Sequence, residues 1–151
     1  MITQLKVKIK KVVAEEVRPL RHAELRNGQN FSTTSYIEDN EESTFHMASI
    51  LDNKVVTCAS YYPEKPLNIK SSRAYRLRGM ATDSNFKRKG FASALMQESF
   101  KELKQRDCDM LWCNARSGAV NFYKSVGFKL KGYLFDIEGI GPHYYMYKEI
   151  Y

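Results

Sequence analysis

Residues 74–96 read AYRLRGMATDSNFKRKGFASALM, and the way this stretch divides into elements decides the fold. AYRLRGMAT has the pattern of a strand. From Phe91 to about Arg106 the pattern is helical, with Ala92, Leu95, Met96, Ser99 and Leu103 on one face. Between them lies DSNFKRKG, so three cations and a glycine stand where a helix begins. A helix N-terminus leaves backbone N–H groups unpaired and carries partial positive charge, so a turn there suits an anion. Ala92 and Ser93 are small enough to let a diphosphate approach the backbone. Lys87, Arg88 and Lys89 add charge where the dipole is already positive, which costs stability unless an anion relieves it. On the residues alone two readings stay open, an anion cradle and a solvated basic turn. The loop carries neither the Lys-Ser/Thr ending of nucleotide P-loops nor a dinucleotide fingerprint, so a nucleoside triphosphate is not implied.

Outward from this stretch, LKVKIKKVV, Leu5 to Val13, alternates apolar and basic residues and reads as a strand with one wet face. Pro19 suits the first turn of a helix, PLRHAEL, that ends at Asn27-Gly28. A polar loop follows. TFHMASIL and KVVTCASYY flank Asp52-Asn53 as a hairpin, closed by Pro63 and Pro66. Beyond the long helix, MLWCNA is a short strand, and Ala119, Phe122, Tyr123 and Val126 keep helical spacing up to Gly127. FKLKGYLF and HYYMYKEI are two closing strands around the turn GIGP. The order β, α, loop, β, β, β, α, β, α, β, β predicts an α/β (α+β) domain with a mixed sheet of about seven strands.

The chain of 151 residues suits one domain spanning 1–151. It shows no signal-peptide pattern and no apolar run of membrane-spanning length, which predicts a soluble cytoplasmic protein without a membrane partner. Three cysteines, Cys58, Cys108 and Cys113, cannot all pair and read as reduced core residues. Clustered Cys and His of metal-site spacing are missing, so no metal is expected. The formal charge of +7 is spread along the whole chain, which reads as a solvated basic surface with no nucleic-acid partner.

YRLRGMATDSNF, KRKGFASALM and NARSGAVNFYKSVGF, taken together and in this order, resemble the Gcn5-related N-acetyltransferase (GNAT) family. FDIEGIGPHYYM is similar to the last turn and strand of its ElaA-like branch, with Gly141 inserted. The family loop runs Gln/Arg-x-x-Gly-x-Gly/Ala, and here Lys87 takes its first position. The resemblance implies an acyl-CoA N-acyltransferase fold splayed around a cofactor cleft. It also implies transfer of the acetyl group of acetyl-CoA, the cosubstrate, directly to a primary amine of a small molecule or a protein.

The same resemblance assigns residues. Lys87, Arg88, Lys89, Gly90, Phe91, Ala92 and Ser93 would hold the CoA pyrophosphate, mainly through backbone N–H groups. Met80, Ala81 and Thr82 would pair with the pantetheine arm. Tyr123 matches the tyrosine that protonates the departing thiolate, although its spacing from Ala119, on the core stripe, by itself favours packing over catalysis. Asn114, Arg116 and Phe122 are further cofactor contacts, Arg116 standing where the family usually has Asn. On the acceptor side the candidates are Arg21, Arg26, His46 and His143. The arginines suit an anionic acceptor group, and the acidic loop Glu38, Asp39, Glu41 and Glu42 suits an amine. An alternative is a catalytically inactive CoA-binding sensor or structural module. Tyr144, Tyr145, Tyr147 and Tyr151 suit either a sheet or the contact of a homodimer.

Overall fold

Asp52 and Asn53 both adopt left-handed backbone angles, φ 49° and 63°, which short polar side chains tolerate and a tight hairpin requires. They join β2 (Phe45–Leu51) to β3 (Lys54–Pro63) in antiparallel register, Phe45 opposite Tyr61 and Ser49 opposite Thr57. This hairpin anchors a computed structural model that describes residues 6–151. β1 (Val7–Val12) pairs antiparallel with β2 at the sheet edge and is mostly exposed, as its alternating lysines require. Leu5, included in the sequence reading of this strand, lies outside the described residues.

The remaining strands are β4 (Ala74–Thr82), β5 (Met110–Arg116), β6 (Lys129–Ile137) and β7 (Gly141–Glu149). The sheet is mixed and open, in the order β1-β2-β3-β4-β5-β7-β6. The helices are α1 (Ala14–Leu25), α2 (Phe91–Gln105) and α3 (Val120–Ser125). α1 begins five residues before the Pro19 start expected from sequence. Glu15 and Glu16 favour its N-terminus electrostatically, and burial of Ala14 and Val17 outweighs the one backbone bond that Pro19 removes. The polar loop after it holds two 3-10 turns, Phe31–Thr34 and Ile37–Asn40.

The chain forms two compact units. The first comprises the described residues up to Tyr62 together with Gly79–Ser99. In it α1 buries Val17 and Leu20 against Cys58 and Ala81, while α2 meets the opposite sheet face, where Tyr61 donates to Met96 Sδ at 3.4 Å. The second comprises Pro63–Arg78 and Phe100–Tyr151. There β4 runs parallel to β5 through Ala74–Arg76, and β7 runs antiparallel to both β5 and β6. Ala74, Met110 and Trp112 form its core with Ile69, Tyr145 and Tyr147.

Candidate functional site

In the first unit, the turn between β4 and α2 is built on a frame of short polar contacts. Asp83 accepts from Asn85 N–H at 2.9 Å and pairs with Lys54 at 2.9 Å, and these two contacts hold its carboxyl below the usual range. Glu24 of α1 accepts from both Ser84 N–H (3.0 Å) and Ser84 Oγ (2.7 Å) and lies 3.6 Å from Lys87 Nζ. The Phe86 ring packs edge-on against Phe91, with Lys89 Nζ 5.8 Å from its centroid. Within this frame Arg88 and Gly90 take φ of 61° and 84°, and Gly90 C=O accepts the first bond of α2 from Ala94 N–H. Left-handed residues at the mouth of a helix turn successive N–H groups toward one point, a concavity suited to anions. Lys87, Arg88, Lys89 and Gly90 are exposed there, and Phe91, Ala92 and Ser93 form the first helical turn, half-buried. The seven loop candidates thus span this turn and the first turn of α2.

Met80, Ala81 and Thr82 end β4 in the same unit, Ala81 buried and the other two half-buried. They follow Gly79, whose φ of 69° breaks the regular strand. A Cβ at Gly79 would lie 3.0 Å from Arg21 Nε and 3.3 Å from the Tyr36 ring. Two of the acceptor-side candidates meet here in a buried network. Arg21 is fully buried, and its Nη1 donates to Thr34 O and Asp39 Oδ2, both at 2.8 Å. Its Nη2 donates to Asp39 Oδ1 at 2.9 Å and Ser60 Oγ at 2.6 Å, and Tyr36 lies 3.9 Å beneath the guanidinium. His46 Nε2 donates to Asp39 O at 2.9 Å, so Nδ1 is the acceptor for the Ser60 hydroxyl at 2.6 Å in the neutral ring.

Both pKa shifts in this network follow from burial and partners. Burial alone would raise the Asp39 carboxyl, and the hydrogen bonds from Arg21 and Tyr36 N–H, with the charge of Arg21, bring it below its ordinary value. Burial lowers His46, and the Arg21 charge adds to that, against the raising effects of Asp39 and Glu15. Arg26, at the end of α1, is 9% exposed and donates to Leu25 O. Arg21 and His46 therefore spend their polar atoms inside the fold. The sequence pattern does not name Asp39, Ser60 and Tyr36 as their partners. One signal is present: Ala14, Val17 and Arg21 share a helical stripe, so Arg21 stands where a core residue belongs.

In the second unit, Asn114 and Arg116 are half-buried on one face of β5, opposite Tyr145 and His143 of β7. His143 is 4% exposed and donates Nδ1–H to Gly141 O at 2.7 Å, which leaves the lone pair on Nε2 in the neutral ring. Tyr123, on α3, is 6% exposed and packs edge-on against Phe122 and Phe128 at 5.3 and 5.1 Å. Cys113 is buried on β5 and desolvation raises its thiol far above the usual range, so it is no nucleophile at neutral pH. No group of three or more His, Cys, Asp or Glu suited to a metal ion occurs among the described residues.

Residues 14–128 match the model of the acetyltransferase (GNAT) family. The uncharacterized N-acetyltransferase YitI of Bacillus subtilis (strain 168) is 33% identical over 144 residues, covering 95% of this chain and 97% of that protein. An aminoglycoside 6'-N-acetyltransferase solved with coenzyme A superimposes with a TM-score of 0.77 at 13% identity, covering 95% of this chain and 97% of the other. Escherichia coli ElaA superimposes with a TM-score of 0.69 at 14% identity, covering 95% and 100%.

Proposed function

The chain belongs to the acetyltransferase (GNAT) family, and from that premise we propose that it transfers the acetyl group of acetyl-CoA to a primary amine. The observation that supports the reading is the turn Lys87–Gly90, where two left-handed residues and three cations immediately precede the first turn of α2. It suits the pyrophosphate of CoA, held by backbone N–H groups from Gly90 to Ser93 and screened by Lys87, Arg88 and Lys89. Met80, Ala81 and Thr82 offer backbone groups to the amides of the pantetheine arm, and one of their N–H groups polarises the acetyl carbonyl. Asn114, Arg116 and Phe122 complete the cofactor contacts.

The chemistry is a direct transfer. The neutral amine nitrogen attacks the thioester carbonyl carbon, the C–N bond forms, and the C–S bond breaks. The departing sulfur takes its proton from the Tyr123 hydroxyl, a phenol being an acid weak enough to carry its proton in neutral water. The proton lost by the amine leaves through a base, for which His143, with its Nε2 lone pair, is the candidate. The acceptor is a small molecule or a protein.

Calorimetric titration with acetyl-CoA and desulfo-CoA, joined to thiol release with a panel of amines, tests this reading. Acceptor-dependent release is expected, and Tyr123→Phe should lower kcat about 100-fold with acetyl-CoA affinity unchanged. Equal kcat in Tyr123→Phe would remove Tyr123 from the chemistry and leave it as packing for Phe128. A second reading, a CoA-binding module without turnover, draws on the burial of Tyr123 among aromatic rings. It predicts tight binding of acetyl-CoA with no amine that releases thiol.

A further inference from the structure

We propose that Arg21 is a positioning residue for acetyl transfer, which ties the segment Phe31–Asn40 to β4 at Gly79 and does not itself touch the acceptor. The inference rests on the reading of Met80–Thr82 as the strand that meets the pantetheine arm. α1 delivers Arg21 on its buried stripe, and a single guanidinium then joins three pieces of chain distant in sequence. Thr34 O and both Asp39 carboxylate oxygens tie it to the two 3-10 turns, and Ser60 Oγ ties it to β3. Tyr36 covers one of its faces at 3.9 Å. Nε, buried and without a hydrogen-bond partner among the described residues, lies against Gly79, where even one added carbon would approach it to 3.0 Å.

Two consequences follow from this geometry. The four terminal contacts and the Tyr36 ring leave no open N–H fork for an acceptor carboxylate or phosphate, so Arg21 is not an anion receptor. Gly79 is the point at which β4 departs from regular geometry, immediately before Met80. The backbone direction of Met80–Thr82 is therefore set against Arg21, and the same guanidinium fixes the polar loop. A lysine keeps the charge, but its point-like ammonium cannot span a carboxylate, a carbonyl and a hydroxyl together. His46 extends the tie through Ser60 and Asp39 O.

The test uses Arg21→Lys and, because a lone substitution in a buried pair can simply fail to fold, the apolar double variant Arg21→Met/Asp39→Leu, which removes both charges. Three quantities are read: amide hydrogen exchange, acetyl-CoA affinity by calorimetry, and thiol release with spermidine and tyramine as probe amines. In both variants exchange should quicken about tenfold or more at residues 31–40 and 79–82 and stay unchanged at the tip of the β2–β3 hairpin, residues 50–55, away from His46 and Ser60. kcat/KM for the better probe amine should fall about tenfold or more, carried by kcat, while acetyl-CoA affinity stays within about threefold. Wild-type kcat in the double variant overturns the proposal, as does unchanged exchange in the two segments. Loss of activity that only parallels faster exchange everywhere, hairpin tip included, also overturns it and makes Arg21 a plain stability residue. A wild-type protein that neither binds acetyl-CoA nor releases thiol refutes the transferase reading, while the exchange pattern still decides whether Arg21 ties the two segments.

Discussion

Asp39 keeps its charge with only 6% of its surface exposed because donors stand where water would: two guanidinium N–H groups and the N–H of Tyr36. Removing one member of such a pair strands the other. Asp39→Ala should therefore cost about 3–5 kcal/mol in denaturant unfolding, far more than the loss of an exposed ion pair. The pH dependence has a definite sign. His46 titrates lower in the fold than its ordinary 6.5, so the unfolded chain takes up the proton first and stability falls as pH drops below that value. Asp39, also lowered, contributes stability that is present above 3.8 and is lost as pH falls through its folded value. Unfolding free energies measured from pH 8 to pH 3 should show both declines. His46→Gln, which keeps a donor for Asp39 O and an acceptor for Ser60, should flatten the upper one. The partnership of Arg21 with Asp39 was not legible in the sequence, because an arginine and an aspartate eighteen residues apart carry no spacing rule. What joins them is a tertiary approach of a loop to a helix.

At the scale of elements, the two glycines around β4 and α2 differ in a measurable way. Gly90 has φ 84°, and a methyl group added there would meet nothing within 4 Å, so Gly90→Ala costs only the left-handed strain, about 1–2 kcal/mol. Gly79→Ala meets the same strain and also crowds Arg21 Nε and the Tyr36 ring, at 3.0 and 3.3 Å, so it should be the more destabilising of the two by guanidinium unfolding. Gly90→Ala should in turn weaken acetyl-CoA binding more, since it reshapes the turn assigned to the pyrophosphate. β4 and α2 were readable to the residue or nearly so, because alternation and a helical stripe each fill a whole segment there. The start of α1 was not, since Pro19 imitates a helix-opening signal while sitting in the sixth position of the helix. The polar loop holds its 3-10 turns through contacts such as Thr44 Oγ1 to Glu38 O, which local pattern does not reveal.

At the scale of the whole molecule, the order of strands and helices was legible, because most elements are bounded by a turn residue, the passage from β1 through Val13 into α1 excepted. The left-handed angles at Asp52, Asn53, Gly127 and Gly139 mark several of those boundaries. The excess of +7 was legible as a number, and its meaning depends on where charges converge. An anionic cosubstrate should stabilise the native chain by mass action, about 2.7 kcal/mol at a concentration 100-fold above its Kd. For a protein of this size that corresponds to a rise in Tm of about 5–10 °C. Differential scanning with acetyl-CoA should show the rise, and added salt should reduce it as screening weakens the hold of Lys87, Arg88 and Lys89.

Cys58, Cys108 and Cys113 are free and buried, at 0%, 4% and 2% exposure, and desolvation raises all three thiols, Cys58 to about 12. A chromogenic disulfide reagent reacts with thiolates it can reach, so the folded chain offers it almost none. Liberated coenzyme would then be counted against a dark background. In the absence of any cosubstrate the same colour becomes a clock: each sulfur reports when its own surroundings open, and the spread among the three rates tells whether the protein opens piecewise or all at once.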